Sequence, residues 1–360
     1  MKMKELDSKE IEYYSRQLIL PNWNLEIQTR LKNAKVIVVG AGALGCAVLQ
    51  SLSRSGVGVI GIADEDIVSQ SNLQRQILFD SNDIGKPKAH VAAQKISQIN
   101  PNIQTKIYNY HVNSENVQSL IKEFDIVVDG SDNFETKYLL NDECAEQKKP
   151  LVYAAIEKYE GQVSVFNVFE DCPTYRCIFP EPPSQNLRTD CESIGVSPFL
   201  PQIIGGIQAA ETIKLITGIG EPLCGKLLLY DSLKTKFSIF SFNLNPKNKS
   251  TLNSTIKKPA SNKSQADRLS LDSFESERNN FFIIDVRDEE DHKEFNIGGI
   301  NIPLYELENR LDMLEKQSVI VAYCDSGLKA KQAAIIISHA LETKVYYLDA
   351  SLKAFKNSEK

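Results

Sequence analysis

Lys35-Val-Ile-Val-Val-Gly40-Ala-Gly42-Ala-Leu-Gly45 decides the fold. The run from Lys35 to Val39 is β-branched and ends on glycine, the pattern of a buried parallel strand. Its glycines then read G-x-G-x-x-G, and Ala43 to Ser55 has the spacing of a helix. Glycine at Gly40, Gly42 and Gly45 lets the backbone turn tightly and approach a phosphate, held at the positive end of that helix. Val59–Ala63 reads as the next strand. Asp64 follows it, nineteen residues after Gly45, placed to accept hydrogen bonds from ribose hydroxyls. A nucleotide is predicted and its identity left open, since an NAD dehydrogenase would carry the same fingerprint.

Outward from this stretch, strand and helix signals alternate. Pro87 to Ile99 is helical and stops before Asn100-Pro101, where proline disfavours helix in the preceding residue. Phe124–Asp129 is a strand and Asn133–Gln147 a helix, so an α/β fold is expected: a doubly wound, Rossmann-like sheet. Leu151–Ile156, Gln162–Val168, Lys226–Tyr230 and Thr235–Phe242 should extend it into a mixed, mainly parallel sheet. A helix around 202–217 puts Ile203, Ile207, Ala210 and Ile213 on one face, with Gly218 as its cap. Residues 246–267 are rich in Lys, Ser and Asn and nearly free of large apolar groups, which reads as a flexible linker. From 268 to 360 an α/β pattern restarts: Phe281–Val286, Ser318–Tyr323, a helix from Leu328 to Leu341, then Lys344–Leu348. The expected organisation is a nucleotide-binding domain (1–245), the linker, and a small second α/β domain.

Composition narrows the function. Apolar residues make up 42% and charged residues 24% of the 360, which excludes wholesale disorder. No run of 18 apolar residues predicts a membrane span, and the start, MKMKELDSKEIEYYSRQ, has no apolar core of a secretory signal. The net charge of −6, from 41 basic and 47 acidic residues, argues against broad binding to nucleic acid. Seven widely spaced cysteines do not make a disulfide framework, so a reducing cytoplasm is the expected setting.

What separates the nucleotides is the next set of residues. Asn72, Arg75, Gln76 and Lys88 follow Asp66, and Asp132-Asn133 follows the strand FDIVVDG. Cations, amides and a carboxylate at strand ends suit a triphosphate with Mg²⁺ better than a hydride carrier. Here the sequence resembles the MoeB/ThiF (HesA/MoeB/ThiF) adenylyltransferases, bacterial relatives of the ubiquitin-activating enzymes. The resemblance rests on YSRQLILP (14–21), VVGAGALG (38–45), SNLQRQ (71–76), GKPKA (85–89) and DGSDNFETKYLLND (129–142). It continues through YRCIFPEPP, CESIGV and IGGIQAAETIKLITGIGEPLCGKLLLYD, and spans about residues 8 to 242.

The resemblance implies that Gly42 and its neighbours hold the phosphates, Asp64 the ribose, and Asn72, Arg75 and Lys88 the triphosphate. Asp132 would bind Mg²⁺, and Arg16 would reach the ATP of a neighbouring subunit, which implies a homodimer. Lys137 stands where the family usually has arginine. The implied reaction is adenylation of the C-terminal glycine carboxylate of a ubiquitin-like sulfur carrier protein ending in Gly-Gly. Relatives with zinc have two C-x₂-C pairs. Here Thr174 occupies one slot beside Cys177, the pair present is Cys172 and Cys177, and the later slot at 245–250 has no cysteine, so zinc is read as absent. Cys191 stands at the family's cysteine in the loop crossing the active site, between Asp190 and Glu192, which raise a thiol pKa. Cys46 and Cys144 read as core residues, and Cys224 as structural. The four histidines form no metal-ligand spacing.

Residues 268–357 resemble the rhodanese domain, through Asp285-Val286-Arg287, Asn301-Ile302-Pro303 and Tyr323-Cys324-Asp325-Ser326-Gly327-Leu328-Lys329. Cys324 lies after a strand and before a helix, where backbone N–H groups and the helix end can stabilise a thiolate or persulfide. The C-x₄-K loop is one residue shorter than related phosphatase loops, which favours sulfur transfer. Phe295-Asn-Ile-Gly-Gly299, Ala330 and Ala350-Ser351 depart from the usual pattern. A persulfide donor such as a cysteine desulfurase, and the molybdopterin synthase small subunit as carrier, complete the expectation. Its alternatives are the thiamine thiazole carrier with an idle rhodanese domain, and a non-catalytic binder of a ubiquitin-like partner.

Overall fold

The computed structural model describes residues 5–169, 171–182, 195–245, 267–314, 317, 319–325, 327–341 and 343–348. The chain divides into two compact units, Met1–Ser254 and Thr255–Lys360. In the first, α1 (Ser8–Tyr13), α2 (Ser15–Leu18) and α3 (Leu25–Asn33) lead into β1 (Lys35–Val39), α4 (Ala43–Ser55) and β2 (Val59–Ala63). Then come α5 (Lys88–Ile99), β3 (Gln104–Tyr108), α6 (Val117–Lys122), β4 (Ile126–Asp129) and α7 (Phe134–Glu146). The hairpin of β5 (Leu151–Glu157) and β6 (Glu160–Phe166) precedes α8 (Tyr175–Ile178) and α9 (Leu200–Thr217). A second hairpin, β7 (Lys226–Asp231) and β8 (Lys236–Ser241), closes the unit.

The sheet order is β3-β2-β1-β4-β5-β6-β7-β8. The first five strands are parallel, and β6 to β8 run antiparallel. This is the expected mixed, mainly parallel sheet. β1 reads as a continuous apolar run because it is buried twice. Val36 and Val38 join the core beneath α4, α5 and α9, while Ile37 and Val39 join the core of α6 and α7 on the other face. Strand order reverses at β1, the switch point at which open α/β sheets bind ligands.

Two expectations are corrected. The buried face of α9 is not the stripe of Ile203, Ile207 and Ile213, which are half-buried, with Ala210 exposed. The helix turns in Leu200, Ile204, Gly205, Gln208, Glu211 and Thr212 instead. Close packing decides this, because a Cβ on Gly205 would lie 2.7 Å from the Ala47 Cβ and 2.9 Å from the Leu44 carbonyl oxygen. The polar members make hydrogen bonds: Gln208 Nε2 donates to Asp129 O (2.8 Å), Thr212 Oγ1 to Gln208 O, and Glu211 Oε2 accepts from Leu223 N, while Gln208 Oε1 has no partner. The second correction concerns the cysteines. Cys172 and Cys224 form a disulfide across 52 residues, with 6.1 Å between Cα atoms. Because β6 and β7 are neighbours, the turn after β6 lies against the residue that precedes β7, and linear spacing gives no sign of it.

The second unit carries β9 (Asp267–Leu269), α10 (Leu271–Glu277), β10 (Phe282–Asp285), α11 (Glu289–Glu294), β11 (Ile300–Asn301), β12 (Val319–Tyr323), α12 (Leu328–Ala340) and β13 (Lys344–Leu348). Its five parallel strands are ordered β11-β10-β12-β13-β9, over a core that includes Leu269, Phe274, Val321, Tyr323 and Leu348. Asp267 thus opens a strand, and the rest of the expected linker, 246–266, lies outside the described residues. Among the described residues no helix is long and apolar enough to cross a membrane.

The second core of the first unit turns on Phe124. Its buried ring fills the space left by Gly61, where a Cβ would stand 2.4 Å from Phe124 Cζ, and meets Tyr108 edge-on at 6.0 Å. Phe124→Ala should lower the unfolding free energy by about 3–5 kcal/mol, the usual cost of emptying a buried aromatic site. Urea denaturation measures it, and a loss under about 1 kcal/mol would refute this assignment.

Candidate active site

The three glycines of the fingerprint have different duties. Gly40 takes φ +93°, a left-handed conformation, and a Cβ on it would lie 2.7 Å from Gly130 O. A Cβ on Gly45 would lie 1.9 Å from Gly40 O. Both positions are closed by neighbouring backbone. Gly42 is open: the nearest atom to a Cβ there is Gln76 Nε2, 3.9 Å away. Gly42 also caps α4, and no side chain caps that helix end. The N–H groups of this helix end, capped by no side chain, and the positive end of the helix dipole therefore lie beside an open position, a cradle that could take a phosphate.

Three strand ends are joined around this cradle. Asp64, after β2, accepts from Ala41 N through Oδ2 (2.7 Å) and from Asp66 N through Oδ1 (2.8 Å). Burial pushes its carboxyl above the ordinary carboxylate range, against the pull of the Lys88 ammonium and of those two N–H groups. Lys88 opens α5, is buried, and holds Asp66 Oδ2 at 2.8 Å. Asp66 is itself largely exposed, so it is a counter-ion that an incoming phosphate can replace. The loop after β4 meets the first glycine through Gly130 and carries Asp132 and Asn133, both exposed.

The remaining predicted residues divide. Half-buried Arg75 donates from Nη1 to Ser71 O (3.0 Å), and Asn72 is buried with Oδ1 receiving Ser69 N (3.2 Å). Asn133 uses its Oδ1 to cap α7 through Thr136 N. Gln76 is buried and its Oε1 finds no partner, an acceptor left open beside Gly42. Arg16 is not brought here within this chain. It is exposed, next to Gln17, whose amide donates to Arg54 O at the far end of α4, about 20 Å of helix from the glycine loop. Cys191 lies outside the described residues. No group of three or more His, Cys, Asp or Glu among the described residues is placed to hold a metal, so an ion at Asp132 needs phosphate oxygens to complete its shell.

Sequence reading passed over the role of Lys137. Its buried ammonium donates to Asp129 Oδ2 (3.0 Å), Ser131 O (2.8 Å) and Ala154 O (2.9 Å), so it braces the ends of β4 and β5 and does not point at a ligand. The signal was a short polar motif, Asp129 and Lys137, closing on itself eight residues apart. Cys46 is inert as expected, since burial pushes its thiol up to about 12. Cys177 is buried, and its Sγ accepts from Thr174 N and Asn245 N, both at 3.4 Å.

In the second unit Cys324 directly follows β12, and its Sγ accepts from Ala330 N at 3.3 Å in the first turn of α12, after Gly327 at φ +83°. The guanidinium of Arg287 holds the loop from behind. It bonds buried Asp285 (Nη2 to Oδ2, 2.7 Å), Phe295 O (2.6 Å) and Asp325 (Nη1 to Oδ1, 3.1 Å). Burial alone would raise the Asp285 carboxyl, but the bonds from Arg287 and His292 hold it below the ordinary range.

Gly42→Ala should leave the fold intact and weaken ATP binding at least about tenfold by filling the cradle, whereas Gly45→Ala should unfold the protein at lower temperature with or without ATP. Thermal melts with an ATP titration separate the two; equal destabilisation by both would remove the distinction. Lys137→Met leaves Asp129 buried and unpaired, and should cost about 3 kcal/mol of stability in urea unfolding.

Comparison with known proteins agrees with both units. The ThiF family model matches residues 14–253 and the rhodanese-like domain model residues 270–358. The sulfur carrier protein adenylyltransferase of Thermus thermophilus is 44% identical over 243 residues, 66% of this chain and 90% of that protein. A probable adenylyltransferase/sulfurtransferase, MoeZ of Mycobacterium tuberculosis, is 34% identical over 370 aligned residues, 97% of this chain and 94% of its own. Among solved structures, E. coli MccB with ATP is similar at a TM-score of 0.59 and 25% identity, covering 67% of this chain and 73% of that one. By its glycine cradle, its sheet order and these matches, the chain belongs to the ThiF family, in the form that ends in a rhodanese-like domain.

Proposed function

We propose that this chain uses ATP to adenylate the C-terminal glycine carboxylate of a ubiquitin-like sulfur carrier protein, and then delivers sulfur to it from a persulfide on Cys324. One observation carries the reading: an uncapped helix end open at Gly42, with Lys88 and Arg75 on one side and Asp132 on the other. Such a site can position a triphosphate and neutralise the charge that develops when its α-phosphate is attacked. The name of the Thermus relative, a sulfur carrier protein adenylyltransferase, supports the substrate class.

In this scheme Asp64 binds the ribose, Gly40, Gly42, Gly45, Asn72, Gln76 and Asn133 surround the phosphates, and Asp132 holds Mg²⁺ with phosphate oxygens. The ion would add positive charge at the bonds being made and broken. The carrier carboxylate attacks the α-phosphate, pyrophosphate leaves, and an acyl-adenylate forms. The terminal sulfur of the Cys324 persulfide attacks the acyl carbon and AMP leaves, giving an acyl disulfide. A thiolate, with Cys191 as the candidate, then attacks the Cys324 sulfur, which frees the carrier thiocarboxylate and leaves a disulfide for an external thiol to reduce. The polar segment 246–266 would hold Cys324 at high effective concentration near the adenylate. A cysteine desulfurase is the proposed persulfide donor, the cytoplasm the proposed setting, and the molybdopterin synthase small subunit the first carrier to try, with the thiamine thiazole carrier next.

Arg16, at the far end of α4, supports a homodimer in which each subunit lends this cation to its partner's site. ATP–pyrophosphate exchange should proceed with one Gly-Gly carrier and be lost in Arg16→Ala, Lys88→Ala and Asp132→Ala. Mixing unfolded Arg16→Ala and Asp132→Ala chains and refolding them should restore about a quarter of wild-type exchange, because half the dimers are mixed and each has one complete site. No recovery would overturn the shared site, and no exchange with any carrier while ATP still binds would overturn the adenylation reading.

A further inference from the structure

Gln202 lies in the first turn of α9, and no sequence motif singles it out. Its Nε2 donates to Arg75 O at 3.3 Å, which orients the side chain and leaves Oε1 as the free acceptor. That Oε1 is buried and has no hydrogen-bond partner. An unmade bond of this kind costs about 1–3 kcal/mol, so one that persists calls for a donor from outside the folded chain.

Its place says which donor. One turn further along α9, Gly205 packs against Leu44 O and Ala47 of α4, so Gln202 stands near the uncapped end of that helix and beside Arg75. The ribose side of the cradle is marked by Asp64, at the end of β2. α9 lies on the other side of β1, where Gly161 of β6 packs against Leu200 and Ile204. In the adenylation reading Asp64 takes the ribose hydroxyls, and phosphate oxygens can only accept. In that reading the carboxyl tail to be activated also brings N–H donors to the cradle. A Gly-Gly tail has no side chains, so backbone N–H and C=O groups are all that a protein can recognise in it.

Resting on the adenylation reading, we propose that the side-chain carbonyl of Gln202 accepts a peptide N–H from the extended Gly-Gly tail of the carrier. Gln202 is thereby a substrate-binding residue, one that sets the tail while Arg75, tied to the same amide, stays on the phosphates. Glutamine fits this role because it is neutral and does not repel a carboxylate, and because it can bond Arg75 and the tail at once.

The experiment uses the full chain and a Gly-Gly carrier that supports wild-type exchange. Gln202→Met, similar in size, removes the acceptor together with the amide that holds Arg75 O; it should raise the KM for the carrier about tenfold, as one lost hydrogen bond does, and by more than any rise in the KM for ATP. A carrier whose tail ends in N-methylglycine, lacking one N–H, should show the same tenfold rise. The two changes combined should do no worse than either alone, because both remove one bond. An unchanged carrier KM in Gln202→Met, a rise in the KM for ATP instead, or multiplying effects would each overturn the proposal. Absence of exchange by the wild-type chain with every carrier would overturn the adenylation reading, and this assignment with it.

Discussion

The turn between β1 and α4 admits no side chain at Gly40 or Gly45, and the rest of the first unit is arranged around that contact. Gly45 presses against Gly40 O, and Gly40 against Gly130 O, so the helix, its strand and the neighbouring strand meet backbone to backbone. The closeness brings the end of α4 down onto the sheet. It also leaves Gly42 facing outward with nothing to cover it. One packing constraint thus creates both the fold's centre and an open helix end of the kind that can hold an anion.

Charge is distributed around the cradle in two ways. Lys137 is fully committed: three acceptors surround its ammonium, and it stiffens the strand ends from beneath. Lys88 is equally buried but answers to an exposed carboxylate, Asp66, whose hold is open to solvent and to competition. A cation of the first kind supports a site, while one of the second kind can take part in it. Lysine at 137 lacks arginine's planar fork, yet its ammonium makes all three bonds here.

The rhodanese-like unit repeats the logic with sulfur. A parallel strand ends just before Cys324, a glycine in a left-handed conformation turns the chain, and a helix begins with an N–H directed at the sulfur. Arg287 ties the residue after the cysteine to buried Asp285, so the loop is held by charge as well as by backbone. Burial pushes the thiols of Cys46 and Cys144 well above the ordinary range, whereas Cys324, also buried, has the Ala330 N–H directed at its sulfur.

What the sequence alone determined was everything carried by local pattern. β1, α4, β2 and the parallel strands of both units follow from apolar runs broken by glycine, because such runs cannot remain in water and have few ways to be buried. The places of the cradle glycines, Asp64, Lys88 and Cys324 were legible because each stands at a strand end or helix start a few residues from an apolar run. The tertiary structure decided whatever depends on residues far apart in the chain. It chose the buried face of α9, where the closeness of Gly205 to Ala47 outweighs the isoleucine stripe. It paired Cys172 with Cys224 through the neighbouring strands β6 and β7, and set Lys137 against Ala154. It also left Gln202 with one bond made and one open. No spacing encodes these contacts, since each exists only once separate strands and helices have been laid side by side.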